Sequence, residues 1–255
     1  MITMVYYMDK LTVIYYSIYS LILIFVIMYF IIVFKEEDYK IGVKNYVKTK
    51  MSNKCHDIKI TDPKVIDKLY YIMKNFDEVC IEQKVEYIAC AGTLLGAIRH
   101  GKIIPWDDDL DVILDIDNID DLTSRVFPEL FKRGLEIKRG VLTNNYRLLI
   151  KGTKYPYMDI FFYVKKGKYF VPKSIYYSLA YPKEKKLPLK MIFPTKRYKL
   201  GDIEISGVNQ GEKYLKKIYS PKVMDEIAGT FFDHNTFQSF KLCTKKLKDV
   251  DPKYM

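Results

Sequence analysis

The sequence predicts an α+β fold, a mixed sheet flanked by helices, preceded by one membrane-spanning helix. Three observations lead there. After residue 62, strand-like and helical runs are interspersed without the regular βαβ alternation of an all-parallel sheet. Residues 11–34, LTVIYYSIYSLILIFVIMYFIIVF, carry no charge. Four aspartates, Asp107, Asp108, Asp109 and Asp111, crowd the entrance to the apolar run Val112-Ile113-Leu114. Like charges this close repel, and a buried strand has no ordinary reason to begin with them.

Taken in order, the uncharged N-terminal run is long enough as a helix, roughly 36 Å, to cross a hydrocarbon core of ~30 Å. It is longer than the apolar part of a signal peptide, about 7–15 residues, and ends at Phe34-Lys35-Glu36 instead of a small-residue cleavage site. Residues 1–34 are therefore expected to be a single-pass membrane anchor. Lys35, Lys40, Lys44, Lys48 and Lys50 follow the run, whereas Lys10 alone precedes it. That asymmetry places the C-terminal domain in the cytoplasm. Residues 35–62 are polar and aperiodic and read as a stalk, leaving 63–255 for one domain with a real core.

That domain opens on a helix. Asp62 suits the N-cap and Pro63 the first turn, and Val65, Ile66, Leu69, Ile72, Met73, Phe76, Val79 and Cys80 recur at helical spacing. EYIAC (86–90) reads as a short strand running into Gly92-Thr93, residues 94–99 as a short helix, and 110–114 as a buried strand. A helix is expected over 118–132, with Asp115, Asp117, Asp120 and Asp121 as its cap and exposed start. YRLLI (146–150) and YMDIFFYV (157–164) read as strands, and a Pro- and Lys-rich region covers about 165–200. Two late helices are expected, near 210–219 and 234–248.

The formal net charge is +11, but no dense Lys/Arg block or RNA-binding motif occurs, so nucleic acid is not expected as a partner. Cys55, Cys80, Cys90 and Cys243 form no C-x-x-C pair, which argues against zinc; they are read as buried thiols, not as a disulfide framework. His56 and His234 have no evident partners in the sequence, and His100 reads as a helix-end or loop residue. Trp106 is expected to fix its loop, with stacking on a base as the alternative. Tyr176, Tyr177 and Tyr181 are read as packing residues in a variable region.

Chemistry concentrates on the aspartates. Alternate residues of a strand share a face, so Asp109 and Asp111 project together. Two carboxylates side by side relieve their repulsion by taking up a proton or by binding a divalent cation. Asp159 is the one acid in an apolar, aromatic strand, and an unpaired buried charge is costly. If its strand lies beside 110–114, Asp159 completes a three-carboxylate cluster. Gly92 allows close backbone approach to a ligand, and free N–H groups at a helix start bind phosphate. The order strand, Gly-Thr, helix, Asp-x-Asp strand, third Asp strand is that of the nucleotidyltransferase fold.

The segment GTLLGAIRHGKIIPWDDDLDVIL resembles the signature of the LicD family, which includes fukutin and fukutin-related protein. YRLLI…YPYMDIFFY resembles the family's second acidic strand with its preceding Arg, and FPTKRYKLGDIEISGVNQGEKYLKKIYSP its C-terminal segment, with Ser220-Pro221 where a Gly is usual. The resemblance spans roughly residues 63–228. It implies transfer of a phospho-alcohol, such as phosphocholine or ribitol phosphate, from a CDP-activated donor to a sugar hydroxyl of a glycan or glycolipid, with release of CMP. It implies metal binding (Mg²⁺ or Mn²⁺) and catalysis at Asp109, Asp111 and Asp159, and donor phosphates at Gly92 and Thr93. Arg99 and Arg147 are implied as diphosphate contacts or site support, and Asp107 as a further member of the motif. For the C-terminal domain, the resemblance implies a Golgi or ER lumen as the alternative to the cytoplasm. The alternatives are a nucleotidyltransferase that adds NMP and releases diphosphate, and an inactive membrane-anchored glycan-binding scaffold.

Overall fold

A computed structural model describes residues 15–26, 55–140, 145–236 and 238–250. The first helix, α1 (Pro63–Gln83), begins as expected: the Asp62 carboxylate accepts the Lys64 N–H at 2.9 Å, Pro63 occupies the first turn, and Lys84 ends the helix in a left-handed conformation. Its apolar stripe is buried through Leu69, Ile72, Met73, Phe76, Val79 and Cys80. Each such side chain removed from water contributes ~1.5–3 kcal/mol.

The strands are β1 (Ile88–Ala89), β2 (Leu110–Asp115), β3 (Leu135–Arg139), β4 (Tyr146–Ile150), β5 (Tyr157–Lys166), β6 (Tyr169–Pro172), β7 (Leu187–Pro188), β8 (Lys196–Leu200) and β9 (Ile203–Gly207). Together they form one sheet in the order β3-β4-β5-β2-β1-β9-β8, with β6 on β5 and β7 on β6. The β2/β5 and β1/β9 pairs are parallel and the others antiparallel, so the sheet is mixed. Helices flank it. The short α2 (Ala91–Leu95) continues through a wider π-type turn, Gly96–His100. Helical turns from residue 116, capped by Asp115, lead into α3 (Phe127–Lys132). Then come α4 (Ile175–Ala180), α5 (Leu189–Ile192) and α6 (Gly211–Ile218).

Strand alternation divides the core in two. Leu110, Val112 and Leu114 of β2 and Met158, Ile160 and Phe162 of β5 pack with α1. Ile113 and Tyr163 turn to the other face, where they meet Leu94, Trp106, Tyr177, Tyr214 and Leu215. The odd-numbered aspartates 109, 111 and 159 follow the second set.

Four expectations change. The described part of the uncharged N-terminal run, residues 15–26, is helical. Among the described residues no helix is long and apolar enough to cross a membrane. The single-pass membrane assignment is thereby overturned, and with it the membrane partner and the orientation argued from it. Residues 11–14 and 27–34 of that run, and 35–54 of the expected stalk, lie outside the described residues.

Second, residues 55–62 pack on the domain. His56 N–H donates to Lys241 O at 2.8 Å, Cys243 N–H to His56 O at 3.0 Å, and Thr61 N–H to Pro105 O at 2.9 Å. Third, the helix expected over 234–248 is an antiparallel hairpin, β10 (Glu226–Asp233) and β11 (Gln238–Lys246). The Asp233 carboxylate accepts the N–H groups of Asn235 and Thr236 at 3.0 and 2.9 Å, an Asx turn that reverses the chain where a helix would have continued. Fourth, Cys55 and Cys243 form a disulfide across 188 residues, whereas Cys80 and Cys90 are buried thiols.

Candidate active site

The site is built at the N-terminal end of β2. The chain enters through Pro105-Trp106, where Asp107 N–H donates to Ile104 O at 2.9 Å. Trp106 is buried against His100, rings edge to face at 5.4 Å, with the Arg99 guanidinium 5.9 Å from its ring. It fixes the loop and does not face the cleft as a base-stacking surface. The first turn of α2 lies directly over this loop. A Cβ on Gly92 would sit 2.5 Å from Asp107 Oδ2, so glycine lets the turn approach without displacing that carboxylate. Thr93 is buried, and its hydroxyl oxygen accepts the Asp111 N–H at 2.8 Å, while Cys90 N–H donates to Asp111 O at 3.2 Å. Thr93 therefore clamps the backbone of Asp111.

Asp159 reaches the same place through the sheet. Parallel pairing of β2 and β5 sets Asp111 directly opposite Asp159, and antiparallel β4 sets Arg147 opposite Asp159 on its other side. Asp109, Asp111 and Asp159 each offer an oxygen within 4.8 Å of the others. Asp109 and Asp159 are only 9% exposed. Asp159 Oδ1 accepts Asn145 Nδ2–H at 2.6 Å and Arg147 Nε–H at 3.2 Å; the guanidinium also lies 4.5 Å from the Tyr157 ring centroid.

Burial and mutual repulsion raise the proton affinity of the cluster. Burial first, then the charges of Asp107, Asp108 and Asp159, push Asp109 well above the usual carboxylate range. Burial, then Asp109 and Asp159, does the same to Asp111. Asp107 is pushed up to about 6 by burial and by Asp108. Asp159 is also raised by burial, against the pull of Arg147, His234 and Asn145. An all-oxygen set that resists ionisation without a counter-charge fits a hard divalent cation, which neutralises two or more carboxylates at once.

Arg99 is not brought to the carboxylates. Its Nη1–H donates to Val223 O at 2.8 Å and its Nε–H to His100 Nε2 at 3.0 Å, and burial lowers its pKa to about 10. Tyr177 packs between Phe161 and Tyr181, with ring centroids 4.6 Å from each.

Sequence reasoning missed Asp108 and His234. Asp108, one of the four crowded aspartates but given no role of its own, is 3% exposed. It accepts the Tyr155 hydroxyl and the His234 backbone N–H on Oδ2, at 3.0 and 2.9 Å, while its Oδ1 lies 2.7 Å from His234 Nδ1. His234 Nε2 is 3.2 Å from Asp109 Oδ2. Burial lowers the imidazole pKa, but the hydrogen bond to Asp108 and the surrounding carboxylates outweigh it and leave it above the ordinary value. Nothing in the sequence near residue 234 signals this; 126 positions separate the two partners.

Three carboxylates gather at the ends of two parallel strands of a mixed sheet, and residues 84–209 match the family model described as LicD/FKTN/FKRP, nucleotidyltransferase domain. The chain belongs to the LicD family. It is 35% identical over 119 residues to the lipopolysaccharide cholinephosphotransferase LicD of Haemophilus influenzae, covering 41% of this chain and 44% of that one. It is 35% identical over 157 residues to an uncharacterised protein of Rickettsia typhi, covering 58% and 44% respectively. The chain spans about half the length of the curated relatives it matches. Among solved structures, a lincomycin-bound lincosamide antibiotic adenylyltransferase aligns over 65% of this chain and 98% of its own, at 16% identity and a TM-score of 0.39.

Proposed function

We propose that the protein transfers a phospho-alcohol from a CDP-activated donor to a sugar hydroxyl of a glycan or glycolipid in a reaction that depends on Mg²⁺ or Mn²⁺. The observation that carries this reading is the convergence of Asp109, Asp111 and Asp159, inside the matched family domain, to oxygens within 4.8 Å of one another. The name of the Haemophilus relative supports a phospho-alcohol as the transferred group.

In this reading the acceptor oxygen attacks the phosphorus that bears the alcohol. The bond from that phosphorus to the bridging oxygen breaks, CMP leaves with the bridging oxygen, and a phosphodiester forms. A divalent cation, when bound, supplies charge neutralisation at the phosphate oxygens, the main requirement of phosphoryl transfer. The chain's own part is positioning. Asp109, Asp111 and Asp159 would hold the cation, and one of Asp111 and Asp159 takes the acceptor's proton. Gly92 keeps the first turn of α2 close to the motif, Thr93 fixes the Asp111 backbone beneath the donor phosphates, and Asp107 closes the space beside Gly92. Arg147, whose Nε–H donates to Asp159 Oδ1, supports that carboxylate from the neighbouring strand.

The test is incubation with CDP-choline, CDP-ethanolamine, CDP-ribitol and CDP-glycerol, each with Mg²⁺ or Mn²⁺ and a sugar acceptor, read as CMP release. Release of diphosphate from an NTP instead assigns nucleotidyl transfer. Turnover of neither kind of donor assigns an inactive glycan-binding relative.

A further inference from the structure

The hairpin of β10 and β11 lies beyond the family-matched segment, which ends at residue 209, yet it puts a side chain into the carboxylate centre. We infer that His234, at the tip of this hairpin, is a positioning residue: its imidazole holds the Asp109 carboxylate in place, so that docking of the hairpin and cation binding at the aspartates are one coupled event. This rests on the reading of Asp109, Asp111 and Asp159 as a cation site.

The ring is held from several sides. Asp108 grips it at two points, accepting the backbone N–H at 2.9 Å and facing Nδ1 at 2.7 Å. Tyr155 anchors Asp108 in turn through its hydroxyl at 3.0 Å. Tyr157 and Phe232 wall the imidazole edge-on, with centroids 5.4 and 4.8 Å away. With Nδ1 committed to Asp108, the remaining ring nitrogen is aimed at Asp109 Oδ2, 3.2 Å away. Asp109 is the residue common to the Asp108–Asp109–His234 group and the Asp109–Asp111–Asp159 group. An imidazole in ion-pair contact with one of its oxygens restrains the carboxylate, as outer partners do for metal-binding residues generally.

The rest of the hairpin is fastened so that this contact persists. Arg99, from the motif itself, donates to Val223 O and Glu226 O at 2.8 and 3.5 Å, at the hairpin's base. The Cys55–Cys243 disulfide and the backbone bonds of His56 hold β11 from the far side. The segment that carries His234 thus reports to the carboxylates whether the C-terminal part of the chain is in place.

Mn²⁺ binding to the full chain, read from the electron paramagnetic resonance of free Mn²⁺, tests this without turnover. Asp111→Asn serves as the control for the cation site and is expected to lose binding. His234→Ala is expected to weaken Mn²⁺ about 10- to 100-fold, the usual effect of removing a residue that orients a metal ligand. His234→Gln, whose amide N–H reaches the place of Nε2, is expected to recover most of that loss. In the unmodified protein, Mn²⁺ should slow hydrogen exchange across residues 226–246, and in His234→Ala it should not. Thermal melts establish that each variant is folded. Loss of binding in Asp111→Asn with unchanged binding in His234→Ala overturns the inference, as does hairpin exchange in the unmodified protein that ignores Mn²⁺. Nitrogen hyperfine coupling to bound Mn²⁺ that vanishes in His234→Ala also overturns it, since His234 would then be a ligand. Equal binding by Asp111→Asn and the unmodified protein overturns the cation-site reading itself.

Discussion

Asp111 is held by both sides of its peptide, with its N–H on Thr93 Oγ1 and its carbonyl on Cys90 N–H, so its carboxylate cannot retreat from Asp159 across the parallel pair. The backbone thus maintains a repulsion that an unconstrained side chain would relieve. Asp109→Asn and Asp111→Asn should each reduce CMP release at least ~100-fold, since a displaced cation costs on the order of 3 kcal/mol in the transition state. The same substitutions should raise metal-free stability by about 1 kcal/mol, because a neutral amide relieves the repulsion that raises the neighbouring carboxylates. Equal turnover, or a lower metal-free melting temperature for either variant, refutes this account of the cluster. Gly92→Ala tests a steric claim. The added Cβ forces the Asp107 carboxylate to rotate away, so about a 10-fold loss of turnover with less than about 1 kcal/mol of destabilisation is expected, a side-chain end being a cheap thing to move.

At the scale of elements, the sheet and the hairpin are held by different means. The sheet has two packed faces, whereas β10 and β11 form a separate two-stranded sheet that His56 bridges at Leu242 and that depends on attachments at its margins. The disulfide is one such attachment, and it closes a loop of 188 residues around the domain. Replacing Cys55 and Cys243 together by Ser should cost about 3–5 kcal/mol, the range for a long closed loop, measured by urea unfolding with and without reductant. Reductant should destabilise the unmodified protein by a similar amount and leave the double variant unchanged. Hydrogen exchange should rise first over residues 226–246, because those strands lose an anchor while the main sheet keeps its own.

For the molecule as a whole, the acidic centre links stability to pH and to metal. A carboxylate whose folded pKa is raised penalises the folded state above that pKa, and the penalty lifts as pH falls through it. Asp107, Asp109, Asp111 and Asp159 are all of this kind. His234, raised as an imidazole, adds stability at low pH that is lost as pH rises through its folded pKa, which is the same sign. His100 opposes them: it is buried at a pKa of about 4, so stability falls as pH drops below its ordinary value. The signs agree above about pH 6.5, where His100 is neutral in both states, while the Asp107 contribution comes lower, from about pH 6 down. In a chelator the free energy of unfolding should rise as pH falls toward about 6.5, by up to ~1.4 kcal/mol per pH unit for each extra proton the folded state holds. Mg²⁺ or Mn²⁺ should raise the melting temperature, release protons and flatten the slope. Stability in chelator that is flat or rises with pH across this range counts against a protonated cluster.

What the amino-acid sequence determined by itself is what repeats over short distances. The 3.6-residue spacing and Asp62-Pro63 start of α1, the alternation of β2, and the D-x-D motif with its Gly-Thr are local patterns, each carried by neighbours within a turn or a strand. From them the mixed α+β sheet, the strands of Asp109, Asp111 and Asp159, and the family were all readable. Tertiary structure alone decided where those strands lie relative to each other, since the Asp111–Asp159 register is a pairing across 48 positions that no local period encodes. It alone turned residues 226–246 into a hairpin, brought His234 to Asp108, sent Arg99 to the hairpin's base instead of to the carboxylates, and joined Cys55 to Cys243. Polar partners and cross-strand neighbours are chosen by the folded geometry, because a hydrogen bond or a buried charge is satisfied by whatever lies within about 3 Å of it, at any distance along the chain.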